Sequence, residues 1–390
     1  MQSSDTLQAL NFDALDVILE NKSAIDSKTF LTEFNNKSDV FDFLKGYGIN
    51  LDDPIESSEL YGQFQEAMLF IRKKFLKEGN DEGLDLTIPN EIVSITRVAE
   101  LFKLSSTDKS DLGIWAGIVL KVIHTLIHID KDLRQNYFNL IQTQIFDRYY
   151  KYLEREGELL FLKSKDAKVP LFEFQTKSKK TRESVVIKLL HKKENVAEEL
   201  FDRIGIRLIA KTKYDCVRVI EFMHKNHIIV PHNIKPSRSH NSLIDMKTFK
   251  KKYNDLLSSG GEMTLEMLNK ITDNSLREKG TLIANKHSLE KYKAIHFTCR
   301  QLINYTNPFY AKYDSLKNEF KNQPKILKKL EDLDTSSISK DSKFFYPYEI
   351  QITDIESHLI NTEGESSHNE YKKSQLSSAM NRLFAPLIKN

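Results

Sequence analysis

A chain of 390 residues, 40% hydrophobic and 29% charged with a formal net charge of +3, has the composition of an ordinary folded protein; its length suggests two or three domains of about 150 residues. The 13 glycines and 9 prolines exclude a collagen-like or linker-dominated chain. Two cysteines, Cys216 and Cys299, exclude a disulfide framework, and no Cys-x-x-Cys pair suggests a zinc site.

The N-terminus, MQSSDTLQALNFDALDVILE, has no basic stretch followed by an apolar one, so it does not read as a signal peptide. The expected compartment is a reducing cytoplasm. Residues 1–165 carry 19 Lys/Arg and 27 Asp/Glu, net −8, whereas residues 166–390 carry 39 and 28, net +11. A basic module beside an acidic one points to an anionic ligand such as a nucleotide or RNA, or to docking of the two modules on each other.

The elements are read in chain order. Leu60, Phe64, Met68, Ile71 and Phe75 recur at three- and four-residue steps and predict a helix. GNDEGLDLTIPN (79–90) is a breaker-rich loop. A second helix is expected over about 90–104, and a third after SSTDKSD with Ser110 or Asp111 as N-cap. The third covers the most apolar stretch, Leu112 to Ile129. Lys121, His124 and His128 interrupt it, which argues for a buried helix and against a membrane span. A fourth helix, with Leu133, Tyr137, Leu140 and Ile141, runs toward Tyr152. KSKDAKVP (163–170) reads as the domain boundary, dividing a helical domain, 1–165, from a second domain, 166–390.

Beyond it helices and strands alternate. Thr181 to His191 reads as a helix, RIGIRLIAKT (203–212) as a strand, and YDCVRVIEFMHKN as a helix. Residues 239–282 read as a Lys-rich helical insertion. AIHFTCRQL (294–302) and YPYEIQI (346–352) are strand-like, and the 305–343 segment between them reads as an insertion with one helix. The pattern predicts an α/β or α+β sheet domain behind an all-helical one.

Three segments place polar side chains beside a strand core. In Asp202-Arg203-Ile204-Gly205-Ile206-Arg207, alternation puts Ile204, Ile206 and Leu208 on one face and Gly205, Arg207 and Ile209 on the other. Gly205 leaves room for a ligand or backbone near Arg207. In Tyr292-Lys293-Ala294-Ile295-His296, Tyr292 and His296 share a face, suited to stacking a base and bonding a phosphate or ribose. In Glu349-Ile350-Gln351-Ile352, Glu349 and Gln351 share a face, suited to a general base or a Mg²⁺ ligand. Taken singly, each segment reads as a plain strand with a polar, solvent-facing side.

Taken together, Asp-x4-Arg, Tyr-x3-His and Glu-Ile-Gln-Ile resemble the synthetase domain of the RelA/SpoT family, which makes the alarmones (p)ppGpp of the stringent response. His358, Gly364, His368, Tyr371 and Lys372 resemble the family's His…Gly…His-x-x-Tyr-Lys segment, and Ser184 to Lys188 its Ser-Ile-x-x-Lys helix. The resemblance covers about 172–390 without the two insertions. It implies a nucleotidyltransferase-like mixed sheet flanked by helices, α+β in class, that transfers pyrophosphate from ATP to the ribose 3′-hydroxyl of GDP or GTP. It further implies Mg²⁺ on Asp202 and Glu349, with Glu349 as ligand or proton acceptor. Tyr292 would stack on the guanine, and Arg207 would pack on the adenine or its phosphates. Lys177, Lys188 and His296 would lie at phosphates, Arg182 would replace a missing adenine-stacking arginine, and Gln351 would stand beside the carboxylate. Phosphoryl-type transfer is mainly positioning and charge neutralisation, which such residues supply.

The chain departs from the family pattern at Gln175-Thr176-Lys177, Lys291, Ala294, Thr353 and Thr362. These changes keep open two other readings: a toxin-type relative acting on the tRNA 3′ end, and a nucleotide-binding regulator without catalysis. No adjacent His-Asp pair marks the family's hydrolase module. His124-x3-His128-x-Asp130 and the set His224, His227 and His232 read as structural histidines.

Overall fold

The computed structural model describes residues 12–388 except 21, 29, 31, 35, 109, 178–180, 193–202, 261–262, 278–291, 334, 336–337 and 363–367. The chain begins with α1 (Phe12–Leu19), α2 (Lys37–Tyr47), α3 (Pro54–Phe75), α4 (Asn90–Val93), α5 (Val98–Thr107), α6 (Asp111–Asp130) and α7 (Phe138–Tyr150). There follow β1 (Leu153–Glu156), β2 (Leu159–Lys163), β3 (Lys168–Lys177), α8 (Arg182–His191), β4 (Gly205–Ala210), α9 (Lys213–Lys225) and β5 (His240–Asn241). The remainder is α10 (Met246–Ser258), α11 (Leu265–Asp273), β6 (Ile295–Thr306), α12 (Pro308–Glu319), α13 (Pro324–Glu331), β7 (Asp341–Asp354), α14 (Ile355–Thr362) and α15 (His368–Ile388).

Local chemistry sets the helical half. Asp53 caps α3 by accepting from the Ile55 N–H at 2.8 Å, and Pro54 occupies the first helical position, where its missing N–H costs nothing. Leu60, Phe64, Met68, Ile71 and Phe75 are buried, as their spacing predicts. Ser110 caps α6. At Gly113 a Cβ would lie 1.8 Å from the Asp108 carbonyl oxygen, so only glycine lets the chain pass this close. Helix α6 is long and apolar enough to cross a membrane, and 78% of that stretch is buried inside the fold. Within it Lys121 is buried and donates to the carbonyls of Ile25, at 3.1 Å, and Ser27. Burial pushes its ammonium down to about 7.

The sheet has seven strands in the order β1-β2-β3-β4-β7-β6-β5. Strands β4 and β7 run parallel; every other neighbouring pair is antiparallel. On one face Ile204, Ile206, Leu208, Ile350, Ile352, Ile295 and Phe297 form a core with Ile141 and Tyr149 of α7 and Val219 and Phe222 of α9. The class is α+β, with a mixed sheet and helices packed on it.

Four expectations are corrected. KSKDAKVP is no boundary: it closes the antiparallel β2–β3 hairpin, with Lys163 opposite Lys168, and the sheet already begins at Leu153. Polar turns inside a sheet and linkers between domains share a composition, so they look alike in sequence. Nor do the two cores divide at residue 165. Val185 and Leu189 of α8 and Leu383 and Phe384 of α15 join the helical core, whereas α7 joins the sheet. The helix expected over 90–104 is two helices, α4 and α5. The 305–343 insertion holds two helices, α12 and α13, and its ends belong to β6 and β7.

Candidate active site on the polar face of the sheet

The opposite face of the sheet collects the polar members of the three sequence segments. Strand register fixes them in two rows. Lys177, Gly205, Glu349 and Thr298 are successive partners across β3, β4, β7 and β6. One step along, Gln175, Arg207, Gln351, His296 and His240 are successive partners from β3 to β5. Direct partners project to the same side, and residues two apart in a strand do likewise.

Glu349 is the centre. Its side chain is only 12% exposed, on a strand flanked on both sides. Lys177 Nζ donates to Oε2 at 2.6 Å, and His296 Nε2 lies 2.7 Å from Oε1. Burial alone would raise the carboxyl, but Lys177 and His296 outweigh it and hold Glu349 well below the usual carboxylate range. Gly205 makes the Lys177 contact possible: a Cβ there would lie 2.7 Å from Lys177 Cδ. The space that the sequence suggests for a ligand is thus filled by the lysine stem.

Arg207 lies flat along the second row. Its Nε and Nη2 donate to Gln351 Oε1 at 3.2 and 3.1 Å, and Nη1 donates to Gln175 Oε1 at 3.3 Å. Gln175 in turn donates to Glu173 at 2.8 Å. Neutral amides hold the guanidinium in place and leave its charge uncancelled by them, which suits a phosphate-binding group.

Tyr292 stands just before β6. Ser242 Oγ donates to its carbonyl at 2.9 Å, and Asn361 of α14 brackets Lys293 through both N–H and C=O. Burial pushes the Tyr292 hydroxyl up, with Arg207 opposing and Glu349 reinforcing the rise. His358 of α14 is pushed down by burial and by Arg207, and Glu173 opposes. His240 is pushed down by burial, His296 and Arg238.

The fold therefore brings together Lys177, Arg207, Tyr292, His296, Glu349 and Gln351. It places Arg182 elsewhere, at the start of α8, where it donates to Asp130 at 2.7 Å and pairs with Glu66. Lys188 is half-buried on α8. Asp202, Lys291 and Gly364 lie outside the described residues, as do the side chains of His368 and Tyr371. Next to Asp202, Arg203 is buried and pairs with buried Asp132 at 3.0 Å. Sequence reasoning passes over Glu173 and His240 as site residues. The alternation Glu173-Phe174-Gln175-Thr176-Lys177 carries the signal for β3, because Phe174 packs against Tyr149 and Tyr150 on the other face.

His124 is half-buried with Nδ1 2.5 Å from the Tyr47 hydroxyl, and desolvation with His128 nearby pushes it down to about 4. Among the described residues no group of three or more His, Cys, Asp or Glu is arranged to hold a metal ion.

No protein-family model matches the chain. No curated protein matches it either. Among solved structures, the small alarmone synthetase 2 from Bacillus subtilis is similar over 68% of this chain and 94% of its own, at 11% identity and a TM-score of 0.25.

Proposed function

We propose that this chain is a pyrophosphokinase of the RelA/SpoT synthetase kind, moving pyrophosphate from ATP to the ribose 3′-hydroxyl of a guanine nucleotide. The observation that carries the reading is the buried carboxylate Glu349 set between Lys177 and His296, with Arg207 one register step along the same face of the sheet. The transfer joins the 3′-oxygen to the β-phosphorus of ATP and breaks its bond to the bridging oxygen, so AMP leaves. The hydroxyl proton needs an acceptor, and Glu349 is the carboxylate at hand.

Held as it is, Glu349 is ionised but weakly basic. Phosphates entering beside Lys177 and Arg207 compete for the Lys177 ammonium. Once Lys177 turns to them, Glu349 loses its strongest neutralising partner and becomes a better proton acceptor. Mg²⁺ is bound by one or two carboxylates together with substrate phosphates. Glu349 fits one such position only after Lys177 has left Oε2; Asp202 is the other carboxylate of the proposal. Tyr292 is the stacking platform for the acceptor base.

The test is incubation of the purified chain with γ-labelled ATP and, separately, GDP, GTP, ATP and bulk tRNA. Label appearing on GDP or GTP is the expected result. Label on tRNA alone would move the acceptor to the tRNA 3′ end. Nucleotide binding without transfer to any acceptor would leave a regulator.

A further inference from the structure

A groove of about 1050 Å³ opens on the helical core, its lining including the paired Asp132 and Arg134. Its apolar lining includes Ile49, Leu60 and Ile127, and its acidic lining includes Asp53, Glu56 and Glu59. Glu59 is matched by Lys131 at 2.9 Å. Among the described residues the hydrogen-bond partners of Asp53 and Glu56 are backbone N–H groups, of Ile55 and Asn50. Backbone donors do not cancel a full charge, so the groove keeps an excess of negative charge beside apolar surface.

At the far end of the β6–β7 ribbon stands the opposite surface. Helices α12 and α13 pack on each other, where the Tyr313 hydroxyl donates to the Leu330 carbonyl at 2.7 Å, and neither has a buried residue. Helix α13, PKILKKLE, exposes Ile326 and, just past its end, Leu333. Lys329 lies three positions after Ile326 and so beside it, and Lys325, four before Lys329, continues the same basic stripe along the edge of Ile326. Eight residues at 1.5 Å each make a rod about 12 Å long. Apolar surface edged by lysines faces solvent on this helix, and apolar surface edged by carboxylates faces solvent in the groove.

We propose that α13 of one copy of this chain docks in the acidic groove of a second copy, and that the exchange is reciprocal. Each chain carries both halves of the contact at separate places, so two copies satisfy both at once in a closed two-fold dimer. The apolar side chains supply the burial and the lysines and carboxylates set which surface meets which.

The experiment is sedimentation of the full-length chain, with two charge-reversed variants: Lys325→Glu/Lys329→Glu and Glu56→Lys/Glu59→Lys. Wild type should sediment as a dimer. Each variant alone should dissociate with an affinity at least ~10-fold weaker, the scale of lost charge complementarity, and raised salt should weaken the wild-type dimer. A further pair decides the matter. A chain carrying only the helix reversal presents acid to acid, and one carrying only the groove reversal presents base to base. Mixed, helix and groove are complementary in both directions, so a heterodimer should form. Recovery on mixing also shows that neither variant failed through misfolding. A monomeric wild type, a dimer indifferent to either reversal, or no recovery on mixing of variants with wild-type circular dichroism would each overturn the proposal.

Discussion

The sheet face and the helical core both bury charge, and they do so by opposite means. On the sheet, Glu349 is neutralised by Lys177, a flexible chain 31% exposed, laid over a glycine. Below the helical core, Asp132 is neutralised by Arg203 and Arg134. The Asp132 and Arg203 side chains are 7% and 6% exposed, and Arg134 contributes a two-pronged contact at 2.7 and 3.0 Å. A lysine ammonium on a mobile stem can be traded for another partner when a ligand arrives; the Arg203–Asp132 pair, buried on both sides, cannot be opened without stranding a charge. The first arrangement suits a site, the second a strut.

Breaking the strut should cost most. Asp132→Ala leaves Arg203 buried without its counter-charge, and Arg203 Nε and Nη2 already have no hydrogen-bond partner among the described residues. The expected loss is about 3–5 kcal/mol of folding stability, read from urea unfolding. A midpoint like that of the unchanged chain would show that the pair bears no weight.

Breaking the site should spare the fold and abolish the chemistry. Glu349→Gln keeps the shape and removes the charge, so turnover should drop by at least ~10²-fold, with circular dichroism unchanged. Wild-type turnover in this variant would remove Glu349 from the mechanism.

A subtler change sharpens the contrast. Gly205→Ala pushes a methyl group against Lys177 Cδ and dislodges the lysine without deleting it. Glu349 should then titrate closer to the ordinary carboxylate range, and the acid limb of the kcat/KM pH profile, which reads the free protein, should move upward. If the acid limb stays where it was, Lys177 is not what depresses Glu349.

The last test concerns a charge whose direct partners among the described residues are neutral carbonyls, of Ile25 and Ser27. Lys121 titrates at about 7 in the fold and near 10.4 when unfolded. Between those values the unfolded chain binds more protons, so stability should rise with pH, by less than about 1.4 kcal/mol per pH unit from this group. Below pH 7 its contribution is constant and unfavourable. Lys121→Met should flatten that slope in unfolding free energies measured from pH 7 to 10. An identical slope in both proteins would refute the assignment.

Sequence makes the strands of the site legible because alternation is local. Ile204, Ile206 and Leu208 against Gly205 and Arg207, or Ile350 and Ile352 against Glu349 and Gln351, can be sorted by parity alone. It does not disclose that Lys177 meets Glu349, 172 residues away, because nothing local records a register between distant strands. Arg182 misleads for a related reason. Its place at the head of α8 is readable, but its partners Asp130 and Glu66 lie in another part of the chain. Helical periodicity likewise predicts α8 without saying which core takes its apolar face, and it leaves α15 unread.

That last feature bears on how the molecule is made. The helical core takes Phe64 and Phe75 from near the start of the chain and Leu383 and Phe384 from near its end. Arg382 of α15 reaches Asp26, 356 residues earlier, at 2.6 Å. During synthesis α2 to α6 therefore emerge long before the helix that completes their core, and the whole sheet is made in between. Contacts of such long sequence separation form slowly and leave apolar surface uncovered meanwhile. The N-terminal half waits, unfinished, for the last helix, and a chain stopped short of α15 would lose a wall of its first core rather than a tail.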